Sequence, residues 1–324
     1  MKLLSDFKKQ FDQEINIYFN KKIESAEKID KNGSNLFKII KEFINNGGKR
    51  SRPAIFYYAF SSYSSQNLEK ALKLSFIFEL FHSFALIHDD IIDNSDLRRG
   101  KQTVHKKYDL PTAILAGDLA IMLTDEIFSQ KIKEQKVIDL YNEFKQELLV
   151  GEYLDTIKID DVNKIMELKT AMYSFVKPAI IALNLAKVEK DEIKKWEEIL
   201  RKIGILFQIK DDYDGTFGSE KILGKPIDSD ICEGKNTLIV KKFLAKSNSM
   251  EREHFYSFFG KHNLKKEDLS WYKNVLIKYK IDREIGEKIS KESVEIENKL
   301  NQCFPDKKLT QFMKEILNYF QSTT

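Results

Sequence analysis

The sequence predicts one large all-α domain spanning residues 1–324. Three observations favour this fold class. Apolar residues recur at helical spacing from end to end, only 13 Gly and 5 Pro interrupt 324 residues, and no strand pattern, Ser/Gly-rich linker or Pro-rich linker divides the chain. Length alone would suggest two domains. A hydrophobic content of 42% that includes 23 Phe is enough for a sizeable core and for an apolar cavity.

The helices follow from the apolar spacing, taken in order along the chain. They are predicted over residues 3–29, 35–45, 52–64, 67–93, 111–130, 133–157, 161–186, 189–217, 235–246, 250–261, 265–279, 282–303 and 307–321. The main breaks are expected at Gly47-Gly48, at residues 95–107 and at residues 215–234. Gly117 with Asp118 is predicted to be a helix start with a capping acid.

Charge and cysteine usage exclude several classes of protein. The 54 basic and 50 acidic residues are well mixed and leave a net charge of +4, so a nucleic-acid partner is not expected. Cys232 and Cys303 lack metal-ligand spacing, which indicates a reducing compartment and no disulfide. The first residues resemble no signal peptide, and no apolar run reaches the roughly 18 residues of a membrane span. We expect a soluble, cytoplasmic protein.

Two aspartate clusters, each at the end of a long apolar run, are the most informative feature. They are Asp89-Asp90-Ile91-Ile92-Asp93 and Asp211-Asp212-Tyr213-Asp214. On a helix, Asp89 and Asp93 lie one turn apart with Asp90 beside them. Like charges at the carboxyl end of a helix repel one another and oppose the helix dipole, so they require divalent cations or a cationic partner. A lone Asp pair is usually a solvated helix end, but two clusters predict a metal site.

Basic segments accompany both clusters. The first is Gly47-Gly48-Lys49-Arg50-Ser51-Arg52-Pro53, in which glycine lets the backbone approach a phosphate. Arg98-Arg99-Gly100-Lys101 follows the first aspartate cluster, and Lys225 and Lys235 follow the second. Carboxylates that bind Mg²⁺ and cations that bind phosphate oxygens together predict a diphosphate site.

In their order, these motifs resemble those of the trans-isoprenyl diphosphate synthases, the polyprenyl synthetase family. The resemblance runs from about Gly47 to Lys235 and is closest to the short-chain type, the geranylgeranyl and farnesyl diphosphate synthases. The segments that carry it are residues 49–53, 89–100, 169–170, 207–212, 224–225 and 234–235. It implies an isoprenoid-synthase-type helical bundle around a central apolar cavity and a homodimer. It also implies Mg²⁺-dependent condensation of isopentenyl diphosphate with an allylic diphosphate, with three ions during turnover.

The resemblance also implies a role for each matching residue. Direct metal ligands would be Asp89, Asp93 and Asp211, supported by Asp90 and Asp212. The allylic diphosphate would be bound by Arg98, Lys169 and Lys225, and isopentenyl diphosphate by Lys49, Arg52, His82 and Arg99, with Lys235 a further substrate-binding residue. Thr170 and Gln208 would stabilise the developing cation. Taken alone, His82 on its apolar face is equally well explained as a hydrogen-bonded core histidine.

Some positions depart from the family pattern. Gly215 stands where a third Asp is usual. Asp214, one residue earlier, could replace it through water, or the site could work with two carboxylates. Glu152 stands where Gln is common and, with Asp155 one turn later, could add an acid to the first cluster. Asp228 replaces a loop glycine. These changes affect the expected rate more than the expected reaction.

The helix before Asp89 bears on product length. Ala85 lies one turn back and leaves that turn open, whereas Phe81, Phe78 and, to the side, Phe84 could form a floor. One turn rises about 5.4 Å, similar to an extended isoprene unit. Together with the resemblance, this favours a C20 product, with C15 second. The alternative is that all three Phe are ordinary core residues.

The sequence leaves two other classes of function open. A class I terpene cyclase also uses an Asp-rich helix and Mg²⁺, but it does not need Lys49, Arg52 and Arg99. A catalytically silent partner subunit is suggested by Gly215 and Asp228, although the first aspartate cluster is intact.

Overall fold

The computed structural model describes residues 1–218, 229–261 and 264–322. The chain divides into two compact units. Unit 1 comprises Met1–Tyr141, Pro178–Ile193 and Asp306–Glu315, and unit 2 comprises Asn142–Lys177, Lys194–Pro305 and Ile316–Thr324. The prediction of a single domain stays a prediction.

About 80% of the structure is helical and the described residues contain almost no strand, which confirms the all-α fold class. The helices are α1 (Lys2–Glu27), α2 (Ser34–Asn45), α3 (Ser51–Ser61), α4 (Leu68–Leu74), α5 (Phe76–Ile92), α6 (Val104–Lys107), α7 (Leu110–Lys131), α8 (Gln135–Thr156), α9 (Val162–Ile165), α10 (Lys177–Leu185), α11 (Lys190–Phe217), α12 (Ser229–Cys232), α13 (Leu238–Lys246), α14 (Ser249–Phe258), α15 (Lys266–Lys278), α16 (Ile281–Cys303) and α17 (Lys308–Ser322). A π-helical segment, Met166–Val176, joins α9 to α10.

Helix α5 forms the centre of unit 1 because it is apolar on nearly all sides. Phe78, Phe81 and Leu80 are fully buried, and α5 packs mainly against α7. The segment Leu68–Ile92 is apolar and long enough to cross a membrane by length and composition, contrary to the expectation from the sequence. Of its most apolar window, 72% is buried inside the protein, as in the core helix of a globular domain.

Unit 2 contains α16 and most of α11, and aromatic side chains pack between its helices. The rings of Trp196 and Phe304 stack 4.1 Å apart. Phe243 contacts both Phe255 and Tyr272. These contacts bury large apolar surfaces between helices that carry Lys and Glu on their solvent sides.

Two local predictions were wrong. The predicted helix over residues 67–93 is interrupted at Ser75, whose hydroxyl donates to the Leu72 carbonyl. Gly117 lies inside α7, which begins at Leu110 after the capping acid Asp109. Gly117 instead allows the close packing of α7 against α5, because a Cβ at this position would lie 2.3 Å from Nε2 of His88.

The predicted break over residues 95–107 contains a β-hairpin that the sequence pattern did not indicate. Strands β1 (Leu97–Arg98) and β2 (Lys101–Gln102) pair antiparallel. Arg99 and Gly100 form the turn with φ of 53° and 73°. Two positive φ angles are typical of a type I′ turn, in which an arginine at the first position is unusual.

Candidate active site

The first aspartate cluster lies at the carboxyl end of α5, as predicted. The backbone N–H of Asp93 donates to the Asp89 carbonyl over 2.8 Å, so the two residues lie one helical turn apart. Helix α5 ends at Ile92, and Asn94 leaves it with a φ of 50°. The three carboxylates therefore lie where the helix dipole is negative, and a positive charge is needed to offset them.

Arg98 supplies part of that charge. Its Nε donates to Oδ1 of Asp90 over 2.6 Å, and its Nη2 donates to Oδ2 of Asp89 over 3.3 Å. Asp90 is only 1% exposed. Burial raises the pKa of Asp90 to about 6, although Arg98 partly opposes this shift. The hairpin between Leu97 and Gln102 thus places a cation, predicted to bind the allylic diphosphate, directly on the aspartate cluster.

The donor chemistry of this cluster fits a hard divalent cation. Carboxylate oxygens are the ligands that Mg²⁺ prefers. Oδ2 of Asp90 is buried and has no hydrogen-bond partner within the described part of the chain, so a cation would satisfy it. Among the described residues, no three His, Cys, Asp or Glu side chains converge in the arrangement of a metal site.

The basic loop before α3 is tied to the hairpin. Gly47 and Gly48 both have φ of 118°. The Gly47 carbonyl accepts hydrogen bonds from the guanidinium groups of Arg50 and Arg99. A Cβ at Gly48 would lie 2.7 Å from Nη1 of Arg50 and 3.0 Å from Nη2 of Arg99. Only glycine fits here. The glycines were predicted to let the backbone approach a phosphate, and in the structure they let the side chains of Arg50 and Arg99 approach the backbone.

Arg50 is a buried residue of this loop whose role the sequence pattern did not indicate. It is 2% exposed, has a φ of 58°, and donates to Glu79 over 2.6 Å and to Asp12 over 2.7 Å. The buried ion pairs fix the loop that carries Lys49 and Arg52. A signal existed in the sequence, since Glu79 is the single acid between Phe76 and Ile87.

His82 belongs to the same region of unit 1. Burial, followed by the positive charges of Arg52 and Arg99, holds the pKa of His82 well below 6.5. The imidazole is therefore neutral at physiological pH and lies within the electrostatic influence of the arginines. His82 is thus close enough to Arg52 and Arg99 to interact with them electrostatically, and their joint role in binding an anion stays a prediction.

In unit 2, Lys169 and Thr170 lie on the π-helical segment. Nζ of Lys169 lies 2.7 Å from Oε2 of Glu152 and 2.5 Å from Oδ2 of Asp155. Thr170 donates to Oε1 of Gln208 over 2.5 Å, and Gln208 donates onward to Asp212. The residues of the second motif are thus linked to the π-helical segment through a chain of hydrogen bonds. π-Helical turns often occur at functional sites.

The second aspartate cluster lies in the last two turns of α11. Asp211 is partly exposed, whereas Asp212 is 6% exposed. Asp214 is 8% exposed and forms an ion pair with Lys210, which is itself buried. Asp214 thus balances a buried lysine, and its replacement of the third Asp of the motif through water stays a prediction.

The structure describes only some of the remaining predicted residues. A Cβ at Gly215 would lie 3.1 Å from Oδ2 of Asp230. Lys235 forms an ion pair with Glu233. Lys225 and Asp228 lie outside the described residues.

The residues predicted to set product length form an aromatic series along α5. Phe78 and Phe81 are fully buried, and Phe84 is 7% exposed. The rings of Phe81 and Phe84 lie 5.4 Å apart, and Phe78 contacts Phe56 of α3 at 5.1 Å. Ala85 is partly exposed. The contact between Phe56 and Phe78 was not predicted, because the pairing of α3 with α5 is not visible in the sequence; the floor itself stays a prediction.

Comparison with known proteins agrees with these motifs. The sequence profile of the family described as Polyprenyl synthetase matches residues 34–276. The chain is 33% identical over 295 residues to the geranylgeranyl diphosphate synthase of Saccharolobus solfataricus, covering 83% of this chain and 86% of that protein. It is 32% identical over 270 residues to the short chain isoprenyl diphosphate synthase of Methanocaldococcus jannaschii, covering 80% and 78%.

Solved structures give the same result for the fold. The geranylgeranyl pyrophosphate synthase of Corynebacterium glutamicum, complexed with isoprenyl diphosphate and magnesium, superposes with a TM-score of 0.88, 23% identity and 99% coverage of both chains. The geranylgeranyl pyrophosphate synthetase of Pyrococcus horikoshii superposes with a TM-score of 0.81 and 26% identity, covering 100% of this chain and 99% of that one.

The all-α fold and these relatives together show a trans-prenyltransferase, which confirms the predicted class of enzyme. The chain belongs to the polyprenyl synthetase family.

Proposed function

We propose that this enzyme condenses isopentenyl diphosphate head-to-tail with an allylic diphosphate to make a short all-trans prenyl diphosphate. The observation that carries the proposal is the basic site of unit 1, where Arg50 and Arg99 both donate to the Gly47 carbonyl and where burial, Arg52 and Arg99 lower the pKa of His82. A second phosphate-binding site separate from the aspartate cluster is what a two-substrate condensation needs and a cyclase does not. The names of the relatives support the same reaction.

We propose that the enzyme depends on divalent metal, with Asp89, Asp93 and Asp211 as direct ligands. Asp90 and Asp212 would support the ions or their water, and three ions during turnover follow from the family resemblance. Bound Mg²⁺ would neutralise the allylic diphosphate and so assist its departure. The unsatisfied oxygen of Asp90 and the magnesium in the related Corynebacterium structure support this proposal.

The side chains of this protein would bind and orient both substrates. Arg98, Lys169 and Lys225 would bind the allylic diphosphate. Lys49, Arg52, His82 and Arg99 would bind isopentenyl diphosphate, with Lys235 a further contact. The allylic C–O bond breaks, the alkene of isopentenyl diphosphate attacks the cation, and a proton leaves to the departing pyrophosphate. Thr170 and Gln208, joined by their 2.5 Å hydrogen bond, would hold two oxygens near the developing charge.

The experiment is direct. Purified protein is incubated with Mg²⁺, isopentenyl diphosphate and each allylic primer in turn, and the products are sized. Elongated prenyl diphosphates are expected. Hydrocarbon products would indicate a class I terpene cyclase instead, and the absence of turnover with every primer would indicate a silent partner subunit.

We propose a C20 product, with C15 second. The fully buried rings of Phe78 and Phe81 and the adjacent Phe84 support a closed floor two to three turns from Asp89. Relatives named geranylgeranyl and farnesyl diphosphate synthase support this range.

We also propose a homodimer. Helix α7 carries exposed apolar side chains at the neighbouring residues Ile114 (42% exposed) and Leu115 (56%) and, two turns further on, at Met122 (66%). An apolar stripe of this kind is typical of an interface between identical subunits. We propose a cytoplasmic location, in keeping with the free cysteines. We also propose that the two units act as one domain, in keeping with a family match that runs through both of them.

A further inference from the structure

Lys169 of unit 2 is held by two acids on one face of α8. Its ammonium lies 2.7 Å from Glu152 and 2.5 Å from Asp155, which are three residues apart and so share that face. Each of the three side chains is 21–23% exposed, so solvent only partly screens the contacts. Gly151 permits the approach, because a Cβ there would lie 3.1 Å from Cγ of Lys169.

The three charges sum to −1. Burial alone would lower the pKa of Lys169, but the Glu152 and Asp155 carboxylates outweigh burial and raise that pKa to about 12. The lysine is therefore protonated, yet the group as a whole repels an anion. With a neutral amide at position 152, the same group would sum to zero.

We propose that Glu152 and Asp155 form a counter-ion latch on Lys169, which competes with the diphosphate for the lysine ammonium. The proposal rests on the proposed function only in taking Lys169 as a diphosphate ligand. Glu152 is a positioning residue, since it acts through Lys169.

The latch makes diphosphate binding depend more strongly on divalent cation. When Lys169 turns to a diphosphate, Glu152 and Asp155 lose their shared cation in a partly buried place, which is unfavourable. A divalent cation bound with the diphosphate compensates for the two freed carboxylates. Metal-free diphosphate has no such compensation and binds weakly.

The test is Glu152→Gln, with inorganic pyrophosphate as the probe. Isothermal titration calorimetry is done with and without Mg²⁺. The variant is expected to bind metal-free pyrophosphate about tenfold more tightly than the wild type, because a like charge beside the anion is removed. With Mg²⁺ present, the gain in affinity of the variant over the wild type is expected to be about threefold or less.

Glu143→Gln is the matched control. Lys177 also lies between two acids of α8, at 2.8 Å from Glu143 and 3.1 Å from Glu147, and it has no role in the proposed site. This variant is expected to leave pyrophosphate affinity unchanged. The unfolding temperature of both variants is measured alongside to detect a structural defect, and Asp155→Asn serves as a second latch variant if Glu152→Gln does not fold.

In turnover assays, Glu152→Gln is expected to lower KM for the allylic diphosphate without changing KM for isopentenyl diphosphate. Unchanged or weaker metal-free pyrophosphate binding in a folded variant contradicts the latch. Tighter binding without any turnover by the wild type supports the latch and contradicts the proposed condensation, so the two failures are distinguishable.

Discussion

At the scale of single residues, the site is a set of charges held in partly or fully buried places by opposite charges. Arg98 binds Asp90, Lys169 binds Glu152 and Asp155, and Lys210 binds Asp214. Each group is desolvated before any substrate arrives. Such an arrangement favours substrate binding at the expense of fold stability, which is a common compromise in enzymes.

The cost of a buried charge to fold stability can be measured at Asp90. Its pKa is raised to about 6, so the folded protein binds the proton more tightly than the unfolded chain. The contribution of this carboxyl to the free energy of unfolding is therefore most favourable below about pH 4. It becomes less favourable as the pH rises to about 6, and it stays unfavourable above that pH. Asp90→Asn, which mimics the neutral acid, is expected to raise the free energy of unfolding by roughly 2–3 kcal/mol at pH 8 and by far less at pH 4. Urea unfolding at both pH values measures this.

Asp96→Asn is the control for Asp90, because Asp96 is 79% exposed and pairs only at the surface with Lys106. Little change is expected at either pH. An equal loss of stability at both pH values in the Asp90 variant would contradict the raised pKa. Turnover of that variant is expected to fall sharply if Asp90 supports the metal.

The sequence identified the charged residues of the site but not all of their partners. Asp89, Arg98 and Lys169 were found because their spacing within motifs carries chemical meaning. The pairing of Asp214 with Lys210 was missed, because helical spacing alone cannot show which charges are buried. Arg50 was missed for a related reason, since its acids, Asp12 and Glu79, come from two distant helices.

At the scale of elements, the π-helical segment is packed between two helices at glycines. Gly151 of α8 faces Leu168, and a Cβ at Gly204 of α11 would lie 2.5 Å from Cα of Ala171. Backbones this close position Lys169 and Thr170 within tight limits. The π-helical conformation of this segment therefore depends on Gly151 and Gly204, which lack side chains.

Gly204→Ala is expected to destabilise the fold by about 1–3 kcal/mol, since the contact atom is backbone and cannot move aside. Displacement of Thr170 is expected to lower kcat as well. Thermal unfolding and product assays measure the two effects.

Gly286→Ala is the matched control, because the nearest atom to its added Cβ is the Tyr213 hydroxyl at 3.9 Å. A gain of about 0.5–1 kcal/mol is expected from the better helix propensity of alanine. Equal effects of the two substitutions would contradict the packing proposed for the π-helical segment.

The aromatic series of α5 predicts the length of the product. Phe81→Ala removes a buried ring one turn beyond Ala85 and is expected to shift products toward longer chains. Chromatography of the dephosphorylated products measures the shift. Phe128→Ala, a buried ring on α7 stacked on Tyr141, is the control for a general loss of packing. An unchanged product distribution in an active Phe81 variant would mean that these rings are ordinary core.

Most elements could be predicted, because apolar spacing is a local property. The predicted helices over residues 189–217 and 282–303 agree with α11 and α16 within a residue. The π-helical register could not be predicted, because it depends on the close approach at Gly151 and Gly204. The hairpin was missed because its strands are two residues long and its turn places an arginine where Asn or Gly is usual.

At the scale of the whole molecule, the exposed apolar stripe of α7 predicts self-association. Met122→Glu places a charge on the stripe and is expected to shift the protein toward monomer. Sedimentation velocity measures the change. Met250→Glu is the control, since Met250 is 78% exposed on a different helix. A wild type that sediments as a monomer at micromolar concentration would contradict the proposed dimer.

The fold class was predictable at this scale, whereas the division into two compact units was not. Helical spacing is continuous through both units, and no linker composition marks the points where the chain passes between them. Tertiary contacts alone define the division, and a single sequence does not show them.

The most direct measurement is the binding of Mg²⁺-pyrophosphate to Asp93→Ala, Asp211→Ala and the double variant. We propose that both aspartate clusters act on one diphosphate. Each single substitution should then weaken binding roughly 10- to 100-fold, and the double variant should bind little more weakly than the worse single variant. Losses that multiply in the double variant, or a single variant with unchanged affinity, would show that the clusters act independently and contradict the shared site.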